Sequence, residues 1–230
     1  MKVLILGSGP TVTQAKDWDR APFDKIVSIN NAWRVRPDWD YLIHPSDFPE
    51  NRQPIQLSTQ QKIITYVDYV PAQNALGGFV YGGGTMAFTA GYWALHALRP
   101  THLCFLGCDM TYDAQQTHFY GTGTADPLRS DVTLRSLEAK SARLQAIAAQ
   151  QGCATLNLST SDSRLVFPRG TPNDLYARAV IAPKQVDHAL SLEAKAGYMV
   201  PSGKYWKEES RFDPAIIDEI DAAWLASISS

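Results

Sequence analysis

Short, almost wholly apolar runs alternate with polar or glycine-rich turns along the first two thirds of the chain. Residues 2–6 (Lys-Val-Leu-Ile-Leu) lead into Gly7-Ser8-Gly9-Pro10, the pattern of a strand buried on both faces and followed by a turn. Similar runs at 25–30, 41–44, 63–67, 102–107 and 154–157 each end in polar or glycine residues. Between the last three lie two helical stretches, 85–98 and 132–151, the second with Leu134, Leu137, Ala142, Leu144 and Ile147 at its apolar positions and a glycine just beyond. Strands alternating with helices predict an α/β fold, a Rossmann-like three-layer sandwich with a mostly parallel sheet, over residues 1–167. Beyond it Pro168, Gly170, Pro172, Pro183, Pro201 and Gly203 interrupt every run, which predicts a helical C-terminal extension over 168–230. Its last helix, 214–228, places Ile216, Ile217, Ile220, Ala223, Trp224 and Ile228 near one face, with Asp218, Glu219 and Asp221 elsewhere. That face is expected to pack on the sheet domain or on a second subunit of a homo-oligomer.

Composition narrows the function classes. A chain of 230 residues, 45% hydrophobic and 19% charged, supports one core, or a main domain plus a small appendage, and is too ordinary in charge to be disordered. With 21 Lys+Arg against 23 Asp+Glu it lacks the basic surplus that displaces counterions from a phosphate backbone, so nucleic acid is not the expected partner. Four apolar residues precede Gly7, fewer than the roughly 7 to 15 of a secretory signal, and no run reaches the roughly 18 of a membrane span. The expectation is a soluble, cytoplasmic protein, with peripheral membrane association left open. Cys104, Cys108 and Cys153 match no zinc or disulfide spacing and read as buried reduced thiols.

In open parallel sheets ligands bind beyond the carboxyl ends of the strands, and the residues collected there are polar. They are Gly7-Ser8-Gly9-Pro10-Thr11, Asn30-Asn31, His44-Pro45-Ser46-Asp47, Gly82-Gly83-Gly84-Thr85, Gly107-Cys108-Asp109 with Tyr112, and Asn157-Leu158-Ser159. The first turn is not a dinucleotide fingerprint, because Val12 replaces the third glycine and Asp40 precedes its strand. It reads either as a turn whose amides approach a phosphate or ribose, or as a plain strand-to-helix turn. The glycine triplet either offers amides and a helix end to an anion, or forms a loop with Thr85 as the helix cap. Of five histidines, His96, His102 and His188 read as structural, His118 as a general base in a polar loop, and His44 as a hydrogen-bonding group for the ligand. Two Asp-Trp-Asp triplets, at 17–19 and 38–40, mimic a metal-binding DxD but read as solvated faces around buried tryptophans.

The order of these motifs, ending in Gly107-Cys108-Asp109-Met110-Thr111-Tyr112 and His118-Phe119-Tyr120-Gly121, resembles the bacterial sialyltransferases of glycosyltransferase family 42. It also looks like the Rossmann-like family grouped with archaeal 6-hydroxymethylpterin diphosphokinase. The resemblance implies an inverting, metal-independent transfer from a CMP-sugar donor to a glycan acceptor such as a bacterial cell-surface glycan, with no cofactor required. It implies that Asn30 and Asn31 contact the nucleotide, that Gly7, Ser8, Gly9, His44, Ser46, Gly83, Gly84, Thr85 and Asp109 line its site, that Tyr112 bonds the leaving phosphate and that His118 is the base. Ser8 and His44 stand where the family has Asn, and the lid between Asp109 and His118 is far shorter, with Tyr120 the substitute for its tyrosine. The kinase resemblance implies instead ATP and Mg²⁺ held by Asp47 and Asp109, without a lysine or arginine cluster near the phosphates. A non-catalytic nucleotide- or glycan-binding protein is the third expectation.

Overall fold

The computed structural model describes residues 1–111, 117–121, 130–176 and 179–228. Six strands, β1 (Lys2–Leu6), β2 (Lys25–Ile29), β3 (Tyr41–Ile43), β4 (Lys62–Ile64), β5 (His102–Leu106) and β6 (Ala154–Asn157), form one sheet in the order β4-β3-β2-β1-β5-β6. Every pairing is parallel, so the sheet expected to be mostly parallel is wholly so among the described residues. The chain lays β2, β3 and β4 outward on one side of β1, then returns to place β5 and β6 on the other. The reversal between β1 and β5 is a topological switch, where the connections leave in opposite directions and open a crevice at the carboxyl ends.

Strand alternation divides the core in two. Val3, Ile5, Val27, Ile29, Ile43, Leu103 and Phe105 face the α-helices, whereas Leu4, Leu6, Ile26, Leu42, Cys104 and Leu106 face the short 3-10 helices Pro10–Lys16 and Asn30–Arg34 with Trp39. The layer on the first face comprises α1 (Tyr66–Asn74), α2 (Phe79–Gly82), α3 (Met86–Leu98) and α4 (Leu137–Gln150), with α5 (Pro183–Ala196) and α6 (Pro214–Ala226) outside them. The buried residues of α3 run without a break from Ala87 to Leu95, because it is packed against the sheet and both α1 and α4.

Three expectations about elements change. The strand expected over 63–67 stops at Ile64, because the Asp68 carboxylate accepts the Thr65 backbone N–H at 2.9 Å and starts α1 there. The helix expected over 132–151 is split into a 3-10 turn at Val132–Leu134 and α4, whose cap Ser136 accepts the Ala139 N–H at 3.1 Å. In α6, Ile216 is exposed, while Asp221, expected off the apolar face, is buried with its carboxylate 2.6 Å from Lys140 Nζ on α4.

The extension shares the core of the sheet. Val186, Ala189, Ile217, Ile220 and Trp224 belong to one apolar cluster with Val3 and Phe105. Buried Arg143 of α4 donates through Nε and Nη2 to Glu193 of α5 (2.6 and 2.9 Å) and through Nη1 to the Tyr92 hydroxyl (2.7 Å). Trp224 Nε1 of α6 donates to the same carboxylate at 2.7 Å, so one buried ion pair ties α3, α4, α5 and α6 together. All three cysteines are buried and unpaired, as expected, and burial pushes the Cys104 and Cys153 thiols up to about 12. Among the described residues no helix is long and apolar enough to cross a membrane.

Candidate functional site

A cleft of about 370 Å³ opens at the switch between β1 and β5, within the size range of small-molecule sites. Its floor is made by the turns that leave these two strands. The Gly7 N–H donates to the Leu106 carbonyl and the Gly9 N–H to the Gly107 carbonyl, each at 2.8 Å, so the first loop is stitched to the second. A Cβ on Gly7 would collide with the Gly107 carbonyl oxygen, and one on Gly9 would lie 2.8 Å from it. Those two glycines are therefore required by backbone packing, and their amides are used inside the protein. Gly107 itself takes φ 71°, which only glycine adopts without strain.

The first turn of α3 enters the cleft through Thr85, Met86 and Ala87. Thr85 is the cap: its hydroxyl accepts the Phe88 N–H at 3.3 Å and lies 3.8 Å from the sulfur of Met110. The helix therefore presents its positive end to the cleft. Gly83 and Gly84 do not line it. Gly83, at φ 89°, packs on Phe88 and Lys140, and the Gly84 N–H donates to Thr133 Oγ1 at 3.0 Å. The glycines shape the approach to α3 and Thr85 caps it.

Opposite α3, Asp109 is a buried carboxylate held by neutral donors. Thr11 Oγ1 (3.1 Å) and Ser159 Oγ (2.8 Å) donate to Oδ2, and Asn157 Nδ2 donates to Oδ1 at 3.4 Å. This joins the ends of β1, β5 and β6 under the cleft. Above it, residues 117–121 form a tight turn in which His118 and Gly121 exchange backbone hydrogen bonds (3.0 and 3.1 Å), with Gly121 at φ 121°. The turn is fastened by the Phe119 N–H, which donates to the Ser8 carbonyl at 3.0 Å, and by Phe119 packing on the apolar cluster below. His118 thereby lines the cleft with Nδ1 2.9 Å from the Thr117 hydroxyl oxygen and its ring 5.0 Å from that of Tyr120. Burial lowers its pKa below the ordinary histidine value, which favours the neutral imidazole.

Of the residues singled out in the sequence, Gly7, Ser8, Gly9, Asn30, Thr85, Asp109, His118 and Tyr120 share this cleft, as does Asp47. Tyr112 lies outside the described residues. Asn31, His44 and Ser46 are not part of the lining: the first two are buried and Ser46 is exposed, while its neighbours Pro45 and Asp47 do line the cleft. His44 Nδ1 sits 2.8 Å from the Pro45 carbonyl oxygen, which can only accept, so Nδ1 carries the proton. Nε2 is left buried without a partner, as are the amide oxygens of Asn30 and Asn31. The sequence reading missed Arg52, brought to the rim by the 3-10 turn Glu50–Arg52. It is the one guanidinium or ammonium group among the described lining residues, and its nearest signal is the Pro49 that begins this turn.

The Asp-Trp-Asp triplet at 38–40 lies at the opposite, amino end of the strands. Asp40 pairs with Arg20 (2.6 Å) and Lys25 (3.0 Å), Asp38 with Arg36 (2.6 Å), and Trp39 is buried. Among the described residues no group of three or more His, Cys, Asp or Glu side chains converges as a metal site would. Comparison with protein-family models, with curated proteins and with solved structures finds no match to this chain.

Proposed function

We propose that this protein is a transferase that uses a CMP-sugar and passes the sugar, with inversion, to a glycan hydroxyl. The observation that carries the reading is the meeting of a neutral-favouring imidazole, His118, with the N-terminal turn of α3 and Arg52 around one cleft. A transfer of this kind needs a base on one side and positive potential on the other. The acceptor oxygen attacks the anomeric carbon as His118 takes its proton, and the bond from that carbon to the phosphate oxygen breaks. Negative charge then gathers on the departing CMP, where the α3 dipole and the Arg52 guanidinium offset it. The unpartnered amide oxygen of Asn30, which lines the cleft, suits a ligand that brings a hydroxyl or amino donor.

The pyrophosphokinase reading draws on Asp47 and Asp109 lining the same cleft. Asp109 already accepts from Thr11, Asn157 and Ser159, which leaves few lone pairs for a cation. A thermal-shift series with CMP, CDP, UDP, GDP and ATP, with and without Mg²⁺, separates the two. A ligand at 100 times its Kd adds about 2.7 kcal/mol. Stabilisation by CMP without Mg²⁺ supports the transferase, and stabilisation by ATP only with Mg²⁺ replaces it by the kinase.

A further inference from the structure

The C-terminal extension is joined by a chain of hydrogen bonds to Gly84, the residue before the cap of α3, and we infer that Tyr205 is a positioning residue for the cleft. This rests on the transferase reading of the cleft. Tyr205 lies in a short 3-10 turn, Tyr205–Lys207, and is 4% exposed, its ring stacked 6.3 Å from that of Phe79. Its hydroxyl donates to Asp131 Oδ2 at 2.8 Å. The other oxygen, Oδ1, accepts both the backbone N–H and the hydroxyl of Thr133 at 2.7 Å. Because that hydroxyl proton is committed to Asp131, a lone pair of Thr133 Oγ1 is turned toward Gly84, whose N–H it accepts at 3.0 Å. Gly84 is followed by Thr85, Met86 and Ala87, the residues of the first turn of α3 that line the cleft.

The links converge on one carboxylate: the Tyr205 and Thr133 hydroxyls both donate to Asp131, and the Gly84 N–H donates in turn to Thr133, one residue before the cap of α3. Gly84 fits only because it is glycine: a Cβ there would collide with the Tyr205 hydroxyl and lie 2.8 Å from Thr133 Oγ1. The ring of Tyr205 is enough to fill the apolar space beside Phe79, and a phenylalanine would do that equally well. The hydroxyl is needed for another purpose. It fixes the rotation of the Asp131 carboxylate, which fixes Thr133, which sets the height of the α3 end against a bound phosphate.

The test compares the full chain with Tyr205→Phe, and with Thr133→Val, which cuts the last link. Amide hydrogen exchange is read at Gly84 and CMP affinity by calorimetry. In Tyr205→Phe the Gly84 amide should exchange about tenfold faster and CMP should bind about five to ten times more weakly. Exchange in α5 and α6 and the melting temperature should stay close to wild type. Thr133→Val should accelerate Gly84 at least as much. Wild-type exchange at Gly84 in Tyr205→Phe overturns the positioning role, and so does a uniform acceleration through α5 and α6, which marks the hydroxyl as merely structural. Failure of wild type to bind CMP overturns the transferase reading instead, and the exchange measurement still decides whether Tyr205 sets Gly84.

Discussion

In the proposed transfer, His118 is the residue on which the chemistry turns. Burial holds its pKa below the ordinary value of about 6.5, so the imidazole stays unprotonated to lower pH than a solvated one. The acid limb of kcat/KM should therefore lie below pH ~6.5, and His118→Asn should lower transfer by about 10² or more while CMP affinity changes little. A rate profile from pH ~5 to 8 with titration calorimetry on both proteins checks this. Gly7 is a residue of another kind, needed for space. Gly7→Ala should cost about 1–3 kcal/mol in urea unfolding, because its methyl group meets the Gly107 carbonyl. Residues of these two kinds were unequally legible. A histidine in a polar loop stands out in a sequence, whereas Arg52 sits among exposed polar residues that look like any loop until the Glu50–Arg52 turn brings it to the rim. The Gly-Ser-Gly turn was visible, but its cause, packing against β5's own turn, involves residues about a hundred positions away and could not be read locally.

The strands were legible because a buried parallel strand is a short apolar run with a polar end, and the observed β1, β2, β3, β5 and β6 fall within those runs. The start of α1 was not, because Thr65-Tyr66-Val67 continues the apolar, β-branched pattern of β4 and only the Asp68 cap reverses it. The buried charges of α4 were hidden for a related reason: Lys140 and Arg143 occupy polar-looking positions that become interior only when α5 and α6 arrive. Arg143→Met should cost about 3–5 kcal/mol by leaving the Glu193 carboxylate buried without its cation, and Arg143→Met with Glu193→Met should recover a large part. Denaturant unfolding of the two single variants and the double variant measures the difference. At the amino edge of β2 and β3 the hydrogen bond from Arg36 holds the Asp38 carboxyl below its ordinary pKa. The unfolded chain takes up that proton at higher pH, so the contribution is complete above the ordinary carboxylate range and is lost as pH falls through the lowered folded value. Asp38→Asn should flatten the acid side of a stability-versus-pH curve and leave its neutral side in the same shape.

For the molecule as a whole, the order β4-β3-β2-β1-β5-β6 explains why residues from distant parts of the sequence meet at one place. A parallel sheet delivers the end of every strand to one edge, and the switch beside β1 opens that edge into a cleft. The helical layer on the other face directs the end of α3 into the same opening, and the extension supports it from behind. The claim on which all of this depends is that the cleft is where a nucleotide binds. An amide-resolved NMR titration of the full chain with CMP tests it most directly. Binding in the cleft predicts saturable shifts centred on Gly9, Asn30, Met86, Ala87 and His118, unchanged by Mg²⁺. No shift at millimolar CMP, or shifts confined to the separate hollow beside Gly77 and Leu190, would contradict it.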